Sequence, residues 1–227
     1  TALPRAGYIF DHWEVTPSGE SPQIFTTQTI SYAPKKNTTL KAIYSEPDIS
    51  DPIIVLNEIN YHSSITANSG DWVELYNRSS SPIDLSGWKI MDGNHTHFFT
   101  LPQNSVIEAN NYMVICQDTS LFPTIFSSSI NKIGNFSFGL DNSGDIIRLF
   151  DAGNVLVDSV RYNDKSPWPI TADGWGNTLE LLSPTLDNGI AQNWTASLHK
   201  GTPGFLNQSD IDFVNINSDE NLLLQNS

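Results

Sequence analysis

The chain has 227 residues, of which 38% are hydrophobic, 11% aromatic and only 16% charged, with a formal net charge of −14. That length suits one or two domains, and the aromatic content excludes wholesale disorder, which goes with high charge and few aromatics. Nucleic acid and anionic membranes are excluded as expected partners, because both are bound first through clustered Lys and Arg, and acidic side chains outnumber basic ones 25 to 11.

Residues 1–46 read as a small unit of three strand-like pieces, 7–14, 28–32 and 38–44, with Tyr8, Phe10, Trp13, Tyr32 and Tyr44 available for a thin core. The unit is balanced in charge, with four acids and four bases over residues 1–47. The chain starts at Thr1 with no charged leader and apolar run behind it, and is read as an excised piece of a longer protein. Residues 47–52 hold two prolines and no aromatic, which predicts a linker.

From residue 53 onward, short apolar or alternating runs recur between Gly, Asn, Asp, Ser and Pro. The spacing predicts strands at 53–59, 72–76, 88–91, 112–116, 145–150 and 155–162. In the stretch 71–77, Val73 and Leu75 point one way and Trp72, Glu74 and Tyr76 the other, predicting a half-buried strand. The sharpest expectation is a hairpin over 145–162, with Asp151, Ala152, Gly153 and Asn154 as its turn. A helix at 119–126 is limited to about a turn by Pro123. Leu101-Pro102 ends a strand, and residues 201–204 form a terminal turn. Residues 208–227 read as linker and frayed tail, with one further strand at Phe213, Val214 and Ile216. The longest unbroken aliphatic run, residues 53–56, is far short of the roughly 20 residues a spanning helix needs. Many short strands without helical periodicity predict an all-β sandwich or barrel.

Three family resemblances sharpen this reading. "TALPRAGYIFDHWEV" followed by "NTTLKAIYSE" resembles the back two-thirds of a divergent internalin-B-type repeat of bacterial surface proteins, which implies a β-grasp-like spacer. Residues 53–207 carry "IIVLNEI", "DWVELYN", "IDLSGWKI", "FGLDNSGDIIRLFDAGNVLVDSVRY", "WPITADGWGNTLELLSPTLDN", "NWTAS" and "GTPGFLN" in order. Together they resemble the lamin tail domain in its bacterial secreted form. That family implies an immunoglobulin-like β-sandwich with no shared catalytic residues. Its animal members bind proteins and DNA, and this stretch departs from them: residues 48–208 hold 17 acids and seven bases. Finally, "SDENLLLQNS" resembles the lead-in to a type IX secretion sorting signal.

Candidate chemistry is sparse. His95 and His97 share a strand face with Asp92 nearby, a set that can bind Zn²⁺; the plainer reading is a polar loop. Asp141, Ser143 and Asp145 resemble a calcium loop only faintly, since the sixth-position Gly and late Glu are missing, and a hairpin turn accounts for them. There is no Gly-x-Ser-x-Gly elbow, and His62 and His199 lie far apart in sequence. Trp168 and Trp175 flank Asp173; exposed rings beside a carboxylate suit sugar stacking, while the plainer reading has both rings closing the end of the sandwich. Cys116, in an apolar run, reads as a small buried hydrophobe. Six Asn-x-Ser/Thr triplets, at Asn37, Asn77, Asn94, Asn135, Asn193 and Asn207, fit chance in an Asn- and Ser-rich chain.

The expectation is a non-catalytic binding or scaffold module of a larger secreted or cell-surface bacterial protein. It needs no cofactor, meets protein or glycan at the cell surface, and neither binds nucleic acid nor inserts in the membrane. A carbohydrate- or calcium-binding accessory domain is the alternative, and a metal hydrolase on His95 and His97 the third reading.

Overall fold

The computed structural model describes residues 1–2, 9–45 and 51–207. Near the N-terminus, β1 (Ile9–Pro17) is flanked by β2 (Gln23–Phe25) and β3 (Thr38–Ser45) in an antiparallel sheet ordered β2-β1-β3. The first and third strands fall where the sequence predicts them. The middle one does not: it is Gln23–Phe25, not 28–32. The reason is a tight turn after Pro17, in which the Glu20 N–H donates to the Pro17 carbonyl at 3.0 Å, so the chain folds straight back and sets Phe25 opposite Trp13. Gln28 is used differently: its carbonyl accepts from the Trp13 indole at 3.2 Å and from the Ala2 N–H at 2.8 Å. The aromatic core is thin, as expected. Phe10 meets Trp13 and Tyr44 at 6.0 and 5.9 Å, but the rings are half-buried, and Ala2, Val15 and Pro17 are the buried side chains among the described residues of this unit. Tyr8 lies outside the described residues.

The larger unit is all-β. Its strands are β4 (Ile54–Asn60), β5 (Trp72–Asn77), β6 (Ile83–Asp84), β7 (Lys89–Met91), β8 (Phe98–Thr100), β9 (Val106–Ile107), β10 (Tyr112–Cys116), β11 (Lys132–Gly134), β12 (Gly144–Phe150), β13 (Leu156–Asn163), β14 (Leu179–Leu181) and β15 (Trp194–Ala196). One sheet runs β11-β10-β5-β4-β14-β15; the facing sheet runs β13-β12-β7-β8. All pairings in these sheets are antiparallel except β10 with β11. Inward side chains of both layers meet in one core. Val73, Leu75, Met113, Ile115, Leu179 and Leu181 come from the first sheet, and Ile90, Ile147, Leu149 and Val160 from the second. This is the immunoglobulin-like sandwich that the strand pattern and the family resemblance imply.

The β12–β13 hairpin forms as its turn chemistry dictates. Asn154 takes a left-handed φ of 63°, its N–H reaches the Asp151 carbonyl at 3.0 Å, and the Asp151 carboxylate accepts from the Val155 N–H at 2.8 Å. The helix expected at 119–126 shrinks to a 3-10 turn, Phe122–Thr124, with Pro123 at its start. Asp51 and the Pro52 carbonyl, at the end of the predicted linker, both hold the Arg78 guanidinium, at 2.5 and 2.9 Å. Most of that linker, and the tail with its expected strand at Phe213, Val214 and Ile216, lie outside the described residues.

The half-buried reading of β5 is corrected. Trp72 and Glu74, on the side assigned to solvent, have no exposure. Phe122 and Phe126 stack edge-on against Trp72 at 5.8 and 5.6 Å, making a second small core with Val114 and Cys116. Cys116 is buried, as expected, and burial pushes its thiol up to about 12, so it stays protonated and unreactive. Two of the six Asn-x-Ser/Thr asparagines are structural: Asn77 is buried and donates to the carbonyls of Ser81, Ile107 and Glu108, and Asn207 is buried against β4 and β14.

Candidate functional site

At one end of the sandwich the loop after β4 meets the loop between β13 and β14. His62 Nδ1 pairs with the Asp173 carboxylate at 2.6 Å, and the Gly174 N–H donates to the His62 carbonyl at 3.1 Å. The ring of His62 lies flat against Gly174, where a Cβ would stand 3.0 Å from it; with φ at +75°, this position admits glycine and little else. Two residues further along each loop, Gly176 packs on the Ser64 hydroxyl. The two loops are thereby fastened together, and between their fastenings Trp175 projects with 79% of its surface exposed. Its ring lines an open depression of about 580 Å³ with Ser64, Thr66, Asn177, Leu198 and His199, among others. The Asn177 amide donates to the Ser197 carbonyl, tying the loop to the end of β15.

On the other side of the same β4–β5 loop is a smaller polar depression of about 280 Å³, reached by Tyr61, His62, Asp71, Gln117 and Asn142. Burial raises Asp71 to about 6, partly opposed by the Leu140 N–H donating at 2.8 Å and by the charge of His62. The Tyr61 hydroxyl is buried with no hydrogen-bond partner among the described residues, and burial with the charges of Asp173 and Asp164 keeps it protonated. No hydroxyl hydrogen-bonds His62 Nε2 among the described residues, so the His62–Asp173 pair has no nucleophile aligned with it.

Trp168 and Trp175, equivalent candidates in the sequence, have different fates. Trp168 is 8% exposed and packs on Trp194 at 5.9 Å, so it belongs to the core. Asp173, two residues before Trp175, is held by His62 at 2.6 Å. The expectation that both rings close the sandwich end therefore fits Trp168 and fails for Trp175.

The Asp92, His95 and His97 set is divided. His97 Nδ1 pairs with Asp92 at 2.7 Å while its ring stacks on Phe138 at 5.6 Å. His95 Nδ1 instead faces the Arg148 guanidinium at 3.3 Å, and that guanidinium also donates to the Asp92 carbonyl. A fixed cation thus stands among these groups. Among the described residues no cluster of three or more His, Cys, Asp or Glu is arranged to hold a metal ion. Asp141 and Asp145 are turn acceptors: Asp141 takes the Ser143 N–H at 2.8 Å, and Asp145 takes those of Gly93 and Ile146 at 2.9 and 2.7 Å.

The sequence reading missed a row of buried acids. Glu58 stands opposite Glu74 on one side and Glu180 on the other, on three adjacent strands, all without exposure. Each interrupts an apolar strand, in "LNEI", "VEL" and "LEL", which was the available signal.

A model of the Lamin Tail Domain matches residues 49–164. No curated protein matches the chain. The matched stretch ends just past β13, yet β14 pairs onto β4 and β15 onto β14 in the same sheet, so the sandwich extends beyond it. Strand order, core and matched residues agree: the chain belongs to the lamin tail domain family, a family of non-enzymatic immunoglobulin-like domains.

Proposed function

We propose that this chain is a non-catalytic binding module of a larger exported protein, and that it engages carbohydrate through the loop end that carries Trp175. The observation that carries this reading is an indole 79% exposed on two loops fastened to each other. An indole face offers dispersion and C–H contacts to a sugar ring, and a ring held in place loses little freedom on binding. The rim beside it carries the short polar groups of Ser64, Thr66 and Asn177, suited to hydroxyls. The sheets behind it act as a rigid mount.

Placement at the cell surface or in the secreted fraction is part of the proposal. It is supported by the resemblance of residues 1–46 to an internalin-B-type spacer and of the C-terminal residues to a type IX sorting lead-in. A glycan array probed with the whole chain and with Trp175→Ala tests the binding reading. Binding by the parent chain that the variant loses is expected. Binding that survives the substitution removes this loop end as the site, and an array without signal removes carbohydrate as the ligand.

A further inference from the structure

The Trp175 depression has a charge pattern that runs against the rest of the chain. Residues 48–208 hold 17 acids and seven bases. Yet the ionisable side chains that line the depression are His199 and Lys200, and no Asp or Glu lines it among the described residues. Lys200 is exposed, and its ammonium has no ion-pair or hydrogen-bond partner among the described residues. In an acidic chain, an unpartnered cation on the wall of a depression is an open position for an anion.

The bend that carries both basic residues is pinned at each end. Before it, the Ser197 N–H donates to the Thr178 carbonyl at 2.9 Å. The Ser197 hydroxyl accepts from the Thr178 N–H at 2.9 Å and donates to the His199 carbonyl at 2.8 Å. After it, Gly201 lies so close to β4 that a Cβ would stand 2.1 Å from Glu58 Oε1, and its φ of +97° suits glycine. The backbone beneath His199 and Lys200 is therefore set before a ligand arrives, and little ordering is left for binding to cost.

The net charge of the chain does not decide what enters, because charges more than about 8 Å away are largely screened at physiological salt. Two carboxylates adjoin the depression. Asp173 is taken by His62 Nδ1 at 2.6 Å. Glu58, behind Gly201, has no exposure, and burial holds it well above the carboxylate range, so it adds little negative charge there.

We propose that the depression selects an acidic saccharide, whose ring stacks on Trp175 and whose carboxylate or sulfate meets the Lys200 ammonium, with the His199 ring as a further N–H donor. This rests on the carbohydrate reading of the same site and names the class of sugar it takes. A neutral sugar gains the stacking alone and leaves the ammonium in water. An acidic one adds a charge-assisted contact. At an exposed position that contact is modest, so the selection is a preference among glycans and not an all-or-none gate.

Affinities titrated on a glycan array of acidic members and their neutral counterparts test this, with the whole chain, Trp175→Ala and Lys200→Gln. Uronate- or sulfate-bearing members are expected to bind about threefold or more tighter than their neutral counterparts. Which of the two acids is preferred names the anionic group. Lys200→Gln, at an exposed position, is expected to erase the preference. Raising salt from 0.1 M to 1 M is expected to shrink it, as the screening length falls from about 10 Å to about 3 Å. An acidic preference that survives both Lys200→Gln and high salt overturns the proposal. Binding that is indifferent to charge, yet lost in Trp175→Ala, overturns it and leaves the carbohydrate reading standing. An array without signal overturns both.

Discussion

Asp158 on β13 accepts a hydrogen bond from the backbone N–H of Leu56 on β4 at 2.7 Å, joining the two layers of the sandwich through one carboxylate. The bond exists because the β4–β5 register shifts between Leu56 and Glu58, an irregularity beside which the carboxylate meets the Leu56 N–H. The same oxygen takes the Asn188 amide at 2.8 Å. Asp158→Ala leaves the buried Leu56 N–H without its acceptor and the Asn188 amide with the Leu56 carbonyl, at 3.2 Å, as its remaining acceptor, and is expected to cost about 3 kcal/mol in urea unfolding. Asp158→Asn, which retains an acceptor, should cost less than half of that.

Acid should stabilise this domain. Burial raises Asp71 and Asp158 to about 6 and Glu74 to about 8, and Glu58 is raised as well. Each folded value lies above the unfolded one, so the folded state binds more protons. The stabilisation is fully present below about pH 4 and is lost as pH rises through 6 and then 8. Thermal melts are expected to show a Tm lower at pH 9 than at pH 5 by on the order of 5 °C or more. A Tm that rises over that interval would contradict the burial of these acids.

The two tryptophans of the β13–β14 loop should separate cleanly. Trp168→Ala empties a core position against Trp194 and is expected to cost roughly 3–5 kcal/mol. Trp175→Ala, at an exposed position, should change stability by less than about 0.5 kcal/mol while removing ligand binding. Chemical denaturation of both variants checks the contrast.

Zinc should not stabilise the chain. Asp92 and His97 are paired with each other, and Arg148 stands beside His95. A bound ion raises Tm by mass action, so melts with added Zn²⁺ and with chelator are expected to coincide. A rise of several degrees with Zn²⁺ that His97→Ala abolishes would show that these side chains rearrange around a metal.

What was legible in the sequence was whatever local chemistry decides. Asp151, Gly153 and Asn154 announce a turn because few residues tolerate its backbone, and the flanking apolar runs announce its strands. Pro123 limits its helix for the same kind of reason. The outer face of β5 was illegible, because Trp72, Glu74 and Tyr76 alternate with Val73 and Leu75 just as a solvent face would. The cover of Trp72 and Glu74 comes from residues 119–130 and 201–207, which have no periodicity of their own. Trp168 and Trp175 share one loop rich in Gly, Pro and Asp; only the distant Trp194 decides which is core. In the N-terminal unit, the Pro-Ser-Gly-Glu turn after β1 was the overlooked signal, and it moved the middle strand forward.

The most direct test of the binding reading is a backbone-amide NMR titration of the whole chain with the strongest ligand from a glycan array. The account predicts shift changes confined to residues 62–66, 173–177 and 198–201, with ligand resonances intact after prolonged incubation. Changes centred on the β13–β12–β7–β8 sheet, or cleavage of the ligand, would contradict it.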